Sequence, residues 1–385
     1  MENFTFHNPT KIYFGNNVLD NLAIEAEKWG TKTLVIIGKN SVKKNGILAS
    51  VCSTLTMANI SYHIFDGIKS NPIFEDADRA IAIAKKEKVD FILAVGGGSV
   101  IDTAKAVAIG YYADHSVWDF YEHGIKAEKA LPLLSILTVA ATGSEMNQYT
   151  VLQNNSTGAK KGYGSTHLYP KASFLNPEYT FTVSPEYTAY GVADLISHSL
   201  EIYFGQGKSD LSDHYVASIL RLAIKWGPIA VNEPENYEAR AQIMWLATNA
   251  LNGSLSTGKK GGDWGVHAIE HSLSVLYDIP HGGGLSIVFP AWLTHHLENE
   301  KQRLAFLGRE VFQLTNLNED EQALGFIKGL KKFFTLINSP VSLSEVKIER
   351  NQEHIILKNL IKNKVNGAHH KLKESDYSSI LEKMW

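Results

Sequence analysis

The sequence predicts an N-terminal α/β domain built on a parallel sheet, followed by an all-helical C-terminal domain. In the first half of the chain, short apolar runs alternate with amphipathic segments of about 10–15 residues. After Ser184-Pro185 no convincing strand is found, and long amphipathic stretches follow one another. The length of 385 residues suits about two to three domains of roughly 150 residues each. We therefore predict an α/β domain over residues 1–184 and a helical domain over residues 185–385, packed with a cleft between them.

Apolar strand candidates and helical segments alternate along the predicted α/β domain. The strand candidates are Thr33–Ile37, Tyr62–Phe65, Phe91–Val95 and Leu133–Leu137. The helical segments are Val42–Asn59 with an interruption at Gly46, Glu75–Lys88 and Val100–Ile109. This alternation is typical of a parallel sheet that is covered by helices on both faces.

The second half consists of amphipathic segments only. We predict helices over residues 185–204, 210–226, 235–251, 263–276 and 285–297, with further helices within 302–337. The hydrophobic fraction of 44% and the charged fraction of 20% are those of an ordinary globular protein.

Charge and cysteine content exclude several classes of protein. The formal charge of −3 and the lack of a long basic block argue against nucleic acid or an anionic membrane as partner. No apolar run of about 18 residues is present, and Met1-Glu2-Asn3 does not open a secretory signal. Cys52 is the one cysteine, so a metal site would have to use nitrogen and oxygen ligands. We expect a cytoplasmic protein that acts on a small molecule.

A glycine cluster follows the strand candidate Phe91–Val95. In Gly96-Gly97-Gly98-Ser99, backbone N–H groups can approach a phosphate at the start of the next helix, and Asp102 lies in the first turn of that helix. A tight turn with ordinary helix capping explains the same residues. The spacing matches neither the Rossmann nor the P-loop fingerprint, so the cluster alone does not identify a nucleotide.

Histidines and one aspartate recur at helical spacing in the second half. Asp194 and His198 lie one turn apart, as do His267 and His271, and His281 lies in a Pro-Gly turn before an apolar helix. Each pair alone is explained by a structural hydrogen bond. Together they offer one carboxylate and three or four imidazoles, a set that suits Fe(II), Zn(II), Co(II) or Mn(II). Spacing does not distinguish His267 from His271 as a ligand.

With these motifs the chain resembles the iron-containing (group III) alcohol dehydrogenases. Within them it resembles the branch of NADPH-dependent butanol dehydrogenases and broad aldehyde reductases. The resemblance runs from Asn8–Gly15 to about Pro340. It is carried by Gly96–Asp102, Ala141–Glu145, Ala193-Asp194 with His198, Met244-Trp245 with Leu251–Gly253, Asp263-Trp264 with His267 and His271, and His281-Gly282. The order and spacing of these motifs make the match specific.

The resemblance implies a role for each matching residue. It implies Asp194, His198, His267 and His281 as metal ligands, and His271 as a catalytic histidine near the nicotinamide, outside the ligand set. It implies Gly97, Gly98, Ser99 and Asp102 as the loop that holds the pyrophosphate. Thr138, Thr142, Ser144 and Lys160 match positions that line the dinucleotide.

The first strand bears on the choice between NAD and NADP. NAD-specific sites usually carry a carboxylate after an early strand, where it binds the ribose 2′-hydroxyl and would repel a 2′-phosphate. Here the strand ends in Gly38-Lys39-Asn40-Ser41 without an acid, and Lys39 and Ser41 can contact a phosphate. We therefore predict NADP(H); an exposed polar turn is the alternative explanation.

The resemblance implies a reductase that passes hydride from NADPH to short or medium linear aldehydes such as butanal, with the reverse oxidation of primary alcohols. The proton route through water, the cofactor ribose or His271 stays open. Either Fe(II) or Zn(II) suits the ligands. The resemblance also implies a homodimer, with Lys11–Phe14 as a candidate shared strand. Candidates for the substrate lining are Trp118, Phe120, Tyr149, Leu152 and Trp264.

Three other readings fit the same fold. A lyase of the dehydroquinate synthase type would need several basic residues for a phosphorylated substrate, and the region from Asp194 to His281 offers few. A glycerol dehydrogenase would carry one histidine fewer in its metal set. A non-catalytic nucleotide-binding protein would keep a full ligand set without using it.

Overall fold

Eight strands form two sheets in the N-terminal half of the chain, and the computed structural model describes residues 1–385. The strands are β1 (Lys11–Phe14), β2 (Lys32–Gly38), β3 (Ser61–Ile68), β4 (Phe91–Gly96), β5 (Leu133–Leu137), β6 (Tyr149–Asn154), β7 (Ala159–Gly164) and β8 (Ala172–Leu175). Six of them form a parallel sheet in the order β1-β8-β5-β4-β2-β3, and β6 and β7 form an antiparallel pair.

Both faces of the six-stranded sheet are covered. Alternate residues of β2 enter different hydrophobic clusters, Leu34 and Ile36 on one face and Val35 and Ile37 on the other. The helices of this half are α1 (Leu22–Ala26), α2 (Ser41–Lys44), α3 (Ile47–Met57), α4 (Phe74–Glu87), α5 (Gly98–Gly110) and α6 (Trp118–His123). The predicted fold class is therefore confirmed for this half of the chain.

The strands β6, β7 and β8 were not predicted, and β1 was predicted only as a candidate shared strand. β1 and β8 have only four residues each, and β7 contains Lys160, Lys161 and two glycines. Their pairing partners stabilise them: β8 lies between β5 and β1, and β6 pairs with β7. Lys11–Phe14, predicted as a candidate shared strand, is hydrogen-bonded to β8 of the same chain at the edge of the sheet.

The second half is helical, as predicted. Its helices are α7 (Pro185–Tyr203), α8 (Asp210–Asn232), α9 (Tyr237–Ala250), α10 (Gly265–Tyr277), α11 (His281–His295), α12 (Leu297–Phe312), α13 (Glu319–Leu336), α14 (Glu353–Lys362) and α15 (Glu374–Glu382). α7 begins where expected, because the Ser184 side chain accepts a hydrogen bond from the Tyr187 N–H and Pro185 occupies the first turn. No helix combines the length and hydropathy that a membrane span requires.

Two helix boundaries differ from prediction. α11 begins at His281 and not at Leu285, so His281 is the first helical residue and does not lie in a preceding turn. The three glycines that follow it argued against helix by propensity, but close packing requires them there, as described below. α8 continues through Pro228 to Asn232.

The chain folds into two compact units. The α/β unit comprises His7–Val183 and Pro234–Thr248; the helical unit comprises Met1–Phe6, Ser184–Glu233 and Asn249–Trp385. The division thus differs from the single predicted boundary in two segments. The N-terminus joins the helical unit through the Glu2 N–H, which donates to the Gly258 carbonyl at 2.9 Å. Most of α9 joins the α/β unit, where Thr248 donates to Glu145 at 2.5 Å.

Candidate metal centre and cofactor-binding loop

Asp194 and His198 lie one turn apart on the buried face of α7. Their exposed fractions are 2% and 5%. Nε2 of His198 lies 3.5 Å from Oδ1 of Asp194. Neither Oδ1 of Asp194 nor Nδ1 of His198 has a hydrogen-bond partner. Burial lowers the pKa of His198 to about 3, so the imidazole is neutral and able to bind a metal.

Helices α10 and α11 bring two further imidazoles to Asp194. One ligand atom each of Asp194, His267 and His281 lies within 4.8 Å of the others. Nε2 of His281 is 3.8 Å from Oδ1 of Asp194, and the ring of His267 stacks on that of His198 with centroids 4.9 Å apart. Nε2 of His267 also has no partner. The structure therefore brings together the residues that sequence analysis proposed as ligands.

This arrangement fits one divalent cation. Metal–ligand bonds of about 2.1 Å in a tetrahedral site place ligand atoms about 3.4 Å apart. The distances from Asp194 Oδ1 to His198 and His281 are close to that value. A cation would also satisfy buried atoms of Asp194 and His267 that the protein leaves without partners.

Glu201, which is not one of the proposed ligands, orients His267. This carboxylate is 1% exposed; Oε1 lies 2.9 Å from Nδ1 of His267 and accepts the His267 backbone N–H at 2.9 Å. Its Oε2 accepts the Trp264 N–H at 2.6 Å. Trp264 has a φ of 65°, a left-handed conformation that is costly for an aromatic residue, and the hydrogen bond holds it there at the start of α10. Glu201 thereby fixes both the backbone and the ring of His267.

Glu270 orients the ring of His281. Its Oε2 is hydrogen-bonded to Nδ1 of His281, and its Oε1 accepts the Ser274 hydroxyl. The glycines after His281 allow this close approach: a Cβ on Gly284 would lie 2.7 Å from Glu270 Cγ, and one on Gly282 would lie 2.0 Å from a backbone oxygen of α7. The glycines therefore let α11 pack against α7 and α10 at the metal centre.

His271 lies beside this group. Its ring centroid is 5.7 Å from that of His281, and Glu270, His271 and His281 offer ligand atoms within 4.8 Å of one another. Glu270, however, is already bonded to Nδ1 of His281, whereas Nε2 of His281 faces Asp194. The geometry thus supports the set built on Asp194, with Glu270 and His271 outside it.

The predicted cofactor loop connects β4 to α5. Gly97 caps the helix and Gly98 is its first residue. A Cβ on Gly98 would lie 2.3 Å from the Thr142 side chain, and the Thr138 N–H donates to the Gly96 carbonyl at 3.0 Å. Glycine is therefore required where the loops after β4 and β5 pack together at the start of α5. The N–H groups at such a helix start can bind a phosphate.

Hydrogen bonds of Asp102 and Ser144 connect α5 to the segments that follow β5. Asp102 accepts the Ser144 hydroxyl at 2.6 Å and the Val151 N–H at 2.8 Å. Lys105, fully buried, donates to Ser144 at 2.9 Å and to the Tyr149 carbonyl at 2.7 Å. Burial lowers the pKa of Lys105 to about 8. Direct contact of Asp102 and Ser144 with a dinucleotide stays a prediction, because what the structure shows for both is hydrogen bonding within the protein.

The remaining predicted cofactor residues lie at carboxyl ends of strands or next to the loop. Gly38 ends β2, and Lys39 and Ser41 follow it, both exposed. β2 and β4 are neighbours whose connections leave in opposite directions, which is where open parallel sheets bind ligands. Ser99 donates to the Ser70 carbonyl at 2.5 Å, and Lys160 donates to the Asn71 side chain at 3.1 Å.

The predicted substrate lining is only partly supported. Trp264 lies beside the metal centre, with its ring centroid 5.3 Å from that of His267. Trp118, Phe120 and Leu152, in contrast, belong to the hydrophobic core of the α/β unit. These three are corrected to core residues, since their side chains are buried within that cluster.

Comparison with known proteins places the chain in a family. The model of iron-containing alcohol dehydrogenases matches residues 9–177, and the model of the C-terminal part of the Fe-containing alcohol dehydrogenase family matches residues 188–385. The chain belongs to the iron-containing alcohol dehydrogenase family. The resemblance to this family that was drawn from the sequence is confirmed, and with it the fold class of both halves.

Similar proteins cover nearly the whole chain. NADH-dependent butanol dehydrogenase A of Clostridium acetobutylicum is 38% identical, with 94% of each chain covered. NADPH-dependent aldehyde reductase YqhD of Escherichia coli is 35% identical, with 94% of this chain and 93% of the other covered. The crystal structure of NADH-dependent butanol dehydrogenase A from Thermotoga maritima matches with a TM-score of 0.96 at 38% identity, covering 100% of this chain and 99% of the other.

Sequence analysis missed Glu201, Glu270 and Lys105. Glu201 follows His198 by three positions and Glu270 follows His267 by three, so each acid shares a helix face with a ligand. An acid on an otherwise apolar face was the available signal for both. Lys105 lies four residues after Ile101 in a helix whose other faces are also buried, so its position has no comparable signal in the pattern.

Proposed function

We propose that this protein is a metal-dependent alcohol dehydrogenase and aldehyde reductase, which transfers hydride between a nicotinamide cofactor and short or medium linear aldehydes or primary alcohols. The observation that carries the proposal is the convergence of Asp194, His198, His267 and His281 with buried donor atoms left without partners. Membership in the family and relatives named butanol dehydrogenase and aldehyde reductase support butanal as the substrate to test. The same names do not favour the alternative of a dehydroquinate synthase-type lyase.

The chain's own residues prepare the site for carbonyl chemistry. Glu201 and Glu270 accept from Nδ1 of His267 and His281, so each Nε2 presents its lone pair to the centre. Burial of this group around Asp194 keeps water away and strengthens electrostatic interactions. A divalent ion bound there would polarise the carbonyl oxygen and stabilise the negative charge that develops on it during hydride transfer.

His271 is the proposed proton-handling residue. Its imidazole is partly exposed and lies next to His281 without belonging to the proposed ligand set. Such a group can hold a proton at a ring nitrogen and release it to the alkoxide, directly or through water. Removal of His271 should therefore slow turnover without loss of the metal.

NADP(H) is the proposed cofactor within the nicotinamide class. Lys39 and Ser41 are exposed beyond the carboxyl end of β2 and available to a 2′-phosphate. The carboxylate on the neighbouring strand, Asp66, forms an ion pair with Lys43, so its charge is partly compensated. The butanol dehydrogenases of Clostridium acetobutylicum and Thermotoga maritima are named for NADH and the aldehyde reductase of Escherichia coli for NADPH, so the comparison does not decide between the cofactors.

Fe(II) and Zn(II) both suit a set of one carboxylate and three imidazoles, and the family description favours iron. We also propose a homodimer. β1 lies at the edge of the sheet, where unpaired backbone groups can bind a second strand, and Phe14 on it is 42% exposed.

The test is the initial rate of nicotinamide oxidation with butanal. Protein stripped by chelator is reloaded with Fe(II) under argon or with Zn(II), and each form is assayed with NADPH and with NADH. We expect no rate without metal, a restored rate with at least one ion, and a higher kcat/KM for NADPH. Confirmed metal loading without turnover would refute the dehydrogenase assignment, and equal or better use of NADH would refute the NADP(H) preference alone.

A further inference from the structure

A second group of metal-ligating side chains lies in the helical unit and shares no residue with the centre around Asp194. Glu300 on α12 and His369 and His370, in the segment between α14 and α15, each offer a ligand atom within 4.8 Å of the others. The family resemblance gave these residues no role. Their contacts show that the group is not a closed hydrogen-bond network.

The pair of His370 and Glu300 cannot satisfy its own polar atoms. Nε2 of His370 lies 2.9 Å from Oε1 of Glu300, and the two side chains are 6% and 9% exposed. Nδ1 of His370 and Oε2 of Glu300 have no partner. If His370 carries its proton on Nε2, the lone pair of Nδ1 is left over; if Nδ1 carries a proton, that proton has no acceptor. Every protonation state therefore leaves a buried polar atom unsatisfied, which is unfavourable.

Arg303 is the nearest cation but is engaged elsewhere. Its Nη1 is 3.8 Å from Oε2 of Glu300, beyond hydrogen-bond range. The guanidinium donates to the carbonyls of Tyr203 and Gly205 and lies over the ring of Tyr203. Arg303 therefore leaves Oε2 of Glu300 without a hydrogen bond.

Hydrogen bonds to Asp263 hold the backbone of the two histidines in place. Asp263 is fully buried, and its Oδ1 accepts the N–H groups of His369 at 2.8 Å and His370 at 2.6 Å. The ring of His296, with Nε2 unpartnered, lies 4.7 Å from that of His370 between centroids. The group thus combines buried ligand atoms that lack partners with a backbone held by hydrogen bonds, as a cation site requires.

We propose that Glu300, His369 and His370 form a second divalent-cation site, which binds Zn(II) and has a structural role. Nitrogen and oxygen donors without thiolate suit zinc, and His296 is the next imidazole that can approach. The ion ties the C-terminal segment to α12. Because Asp263 binds the same segment and directly precedes Trp264, the ion also stabilises the start of α10, which carries His267.

Metal stoichiometry tests this proposal separately from the catalytic one. Chelator-stripped full-length protein is equilibrated with buffered Zn(II), desalted and measured by atomic emission. We expect two equivalents in the wild type and one in both His369→Ala and His370→Ala. His369 is exposed, so the first of these variants removes a ligand without disturbing the core. His354→Ala is the matched control, since His354 is an exposed histidine on α14 outside the group, and it should retain two equivalents.

A variant of the first centre distinguishes the two sites. His267→Ala should lose one equivalent and keep the other, and Zn(II) should still raise its Tm. Addition of His370→Ala to that variant should abolish the rise. One equivalent in the wild type that His369→Ala and His370→Ala both retain would overturn the second site. One equivalent that is lost in His370→Ala but kept in His267→Ala would support the second site and overturn the metal centre of the proposed function.

Discussion

Replacement of Glu270 by glutamine isolates the charge of one carboxylate at the proposed metal centre. In the wild type, Oε2 of Glu270 is bonded to Nδ1 of His281 and Oε1 accepts the Ser274 hydroxyl. In Glu270→Gln the amide oxygen can still accept from His281, and the amide group can donate to Ser274. The Ser274 hydroxyl then donates to the Ile279 carbonyl, which already lies 3.2 Å away. The hydrogen bonds of residue 270 to His281 and Ser274 are therefore both kept.

The expected effect is therefore on metal affinity and not on folding. Outer carboxylates of this kind contribute about 10–100-fold to metal affinity, which corresponds to about 1.4–2.7 kcal/mol. We predict that loss within this range, with the unfolding free energy of the metal-free protein changed by less than about 1 kcal/mol. Glu201→Gln should behave differently. Its two oxygens accept from three N–H groups of Trp264 and His267. In Glu201→Gln the amide NH2 group would face one of these N–H donors in either orientation, so we expect the fold itself to be destabilised.

The assay is reactivation of stripped enzyme in metal-buffered solutions, which reports the catalytic ion alone, together with denaturant unfolding in the presence of chelator. Ser274→Ala is the control, since it keeps the carboxylate and should bind metal nearly as the wild type does. An unchanged reactivation midpoint in Glu270→Gln would refute the role of Glu270 in tuning His281. A large loss of metal-free stability would refute the hydrogen-bond reasoning.

Four further substitutions test the roles of the histidines, of Lys39 and of the glycine loop. His198→Ala should lose the catalytic metal and most activity, whereas His271→Ala should keep the metal by atomic emission; the reverse pattern would exchange their roles. Lys39→Ala should lower kcat/KM for NADPH relative to NADH by about 10-fold, because a charge-assisted contact is lost, and an unchanged ratio in steady-state assays would contradict that contact. Gly98→Ala places a Cβ 2.3 Å from the Thr142 side chain and should weaken nucleotide binding in fluorescence titrations; wild-type affinity would contradict the crowded loop.

The sequence predicted the elements whose pattern is local. β2, β4 and β5 are continuous apolar runs, and α4 and α7 have clear helical periodicity, so their structures agree with prediction to within a few residues. The strands β6, β7 and β8, which were not predicted, depend on pairing with other strands, which no local pattern shows. The start of α11 was missed for the same reason, because only its packing against α7 and α10 explains three consecutive glycines after His281.

The residues of the candidate site also divide into those that the sequence predicts and those that depend on tertiary contacts. Helical spacing brought Asp194 and His198 to one face, but spacing alone could not choose between His267 and His271. The choice depends on which nitrogens face Asp194 and which face Glu201 or Glu270, and these are tertiary contacts. The group of Glu300, His369 and His370 was not predicted, because its members lie about 70 residues apart along the chain and share no periodic pattern.

Anomalous diffraction at the iron absorption edge, from crystals grown with Fe(II) under argon, tests the central claim most directly. The claim is that Asp194, His198, His267 and His281 together hold one metal ion. We predict a single strong peak within about 2.0–2.2 Å of one atom from each of these side chains, with Glu201 and Glu270 outside bonding distance. A peak coordinated by His271 in place of His267 would contradict the ligand assignment. Fully loaded crystals with no peak between α7, α10 and α11 would contradict the account as a whole.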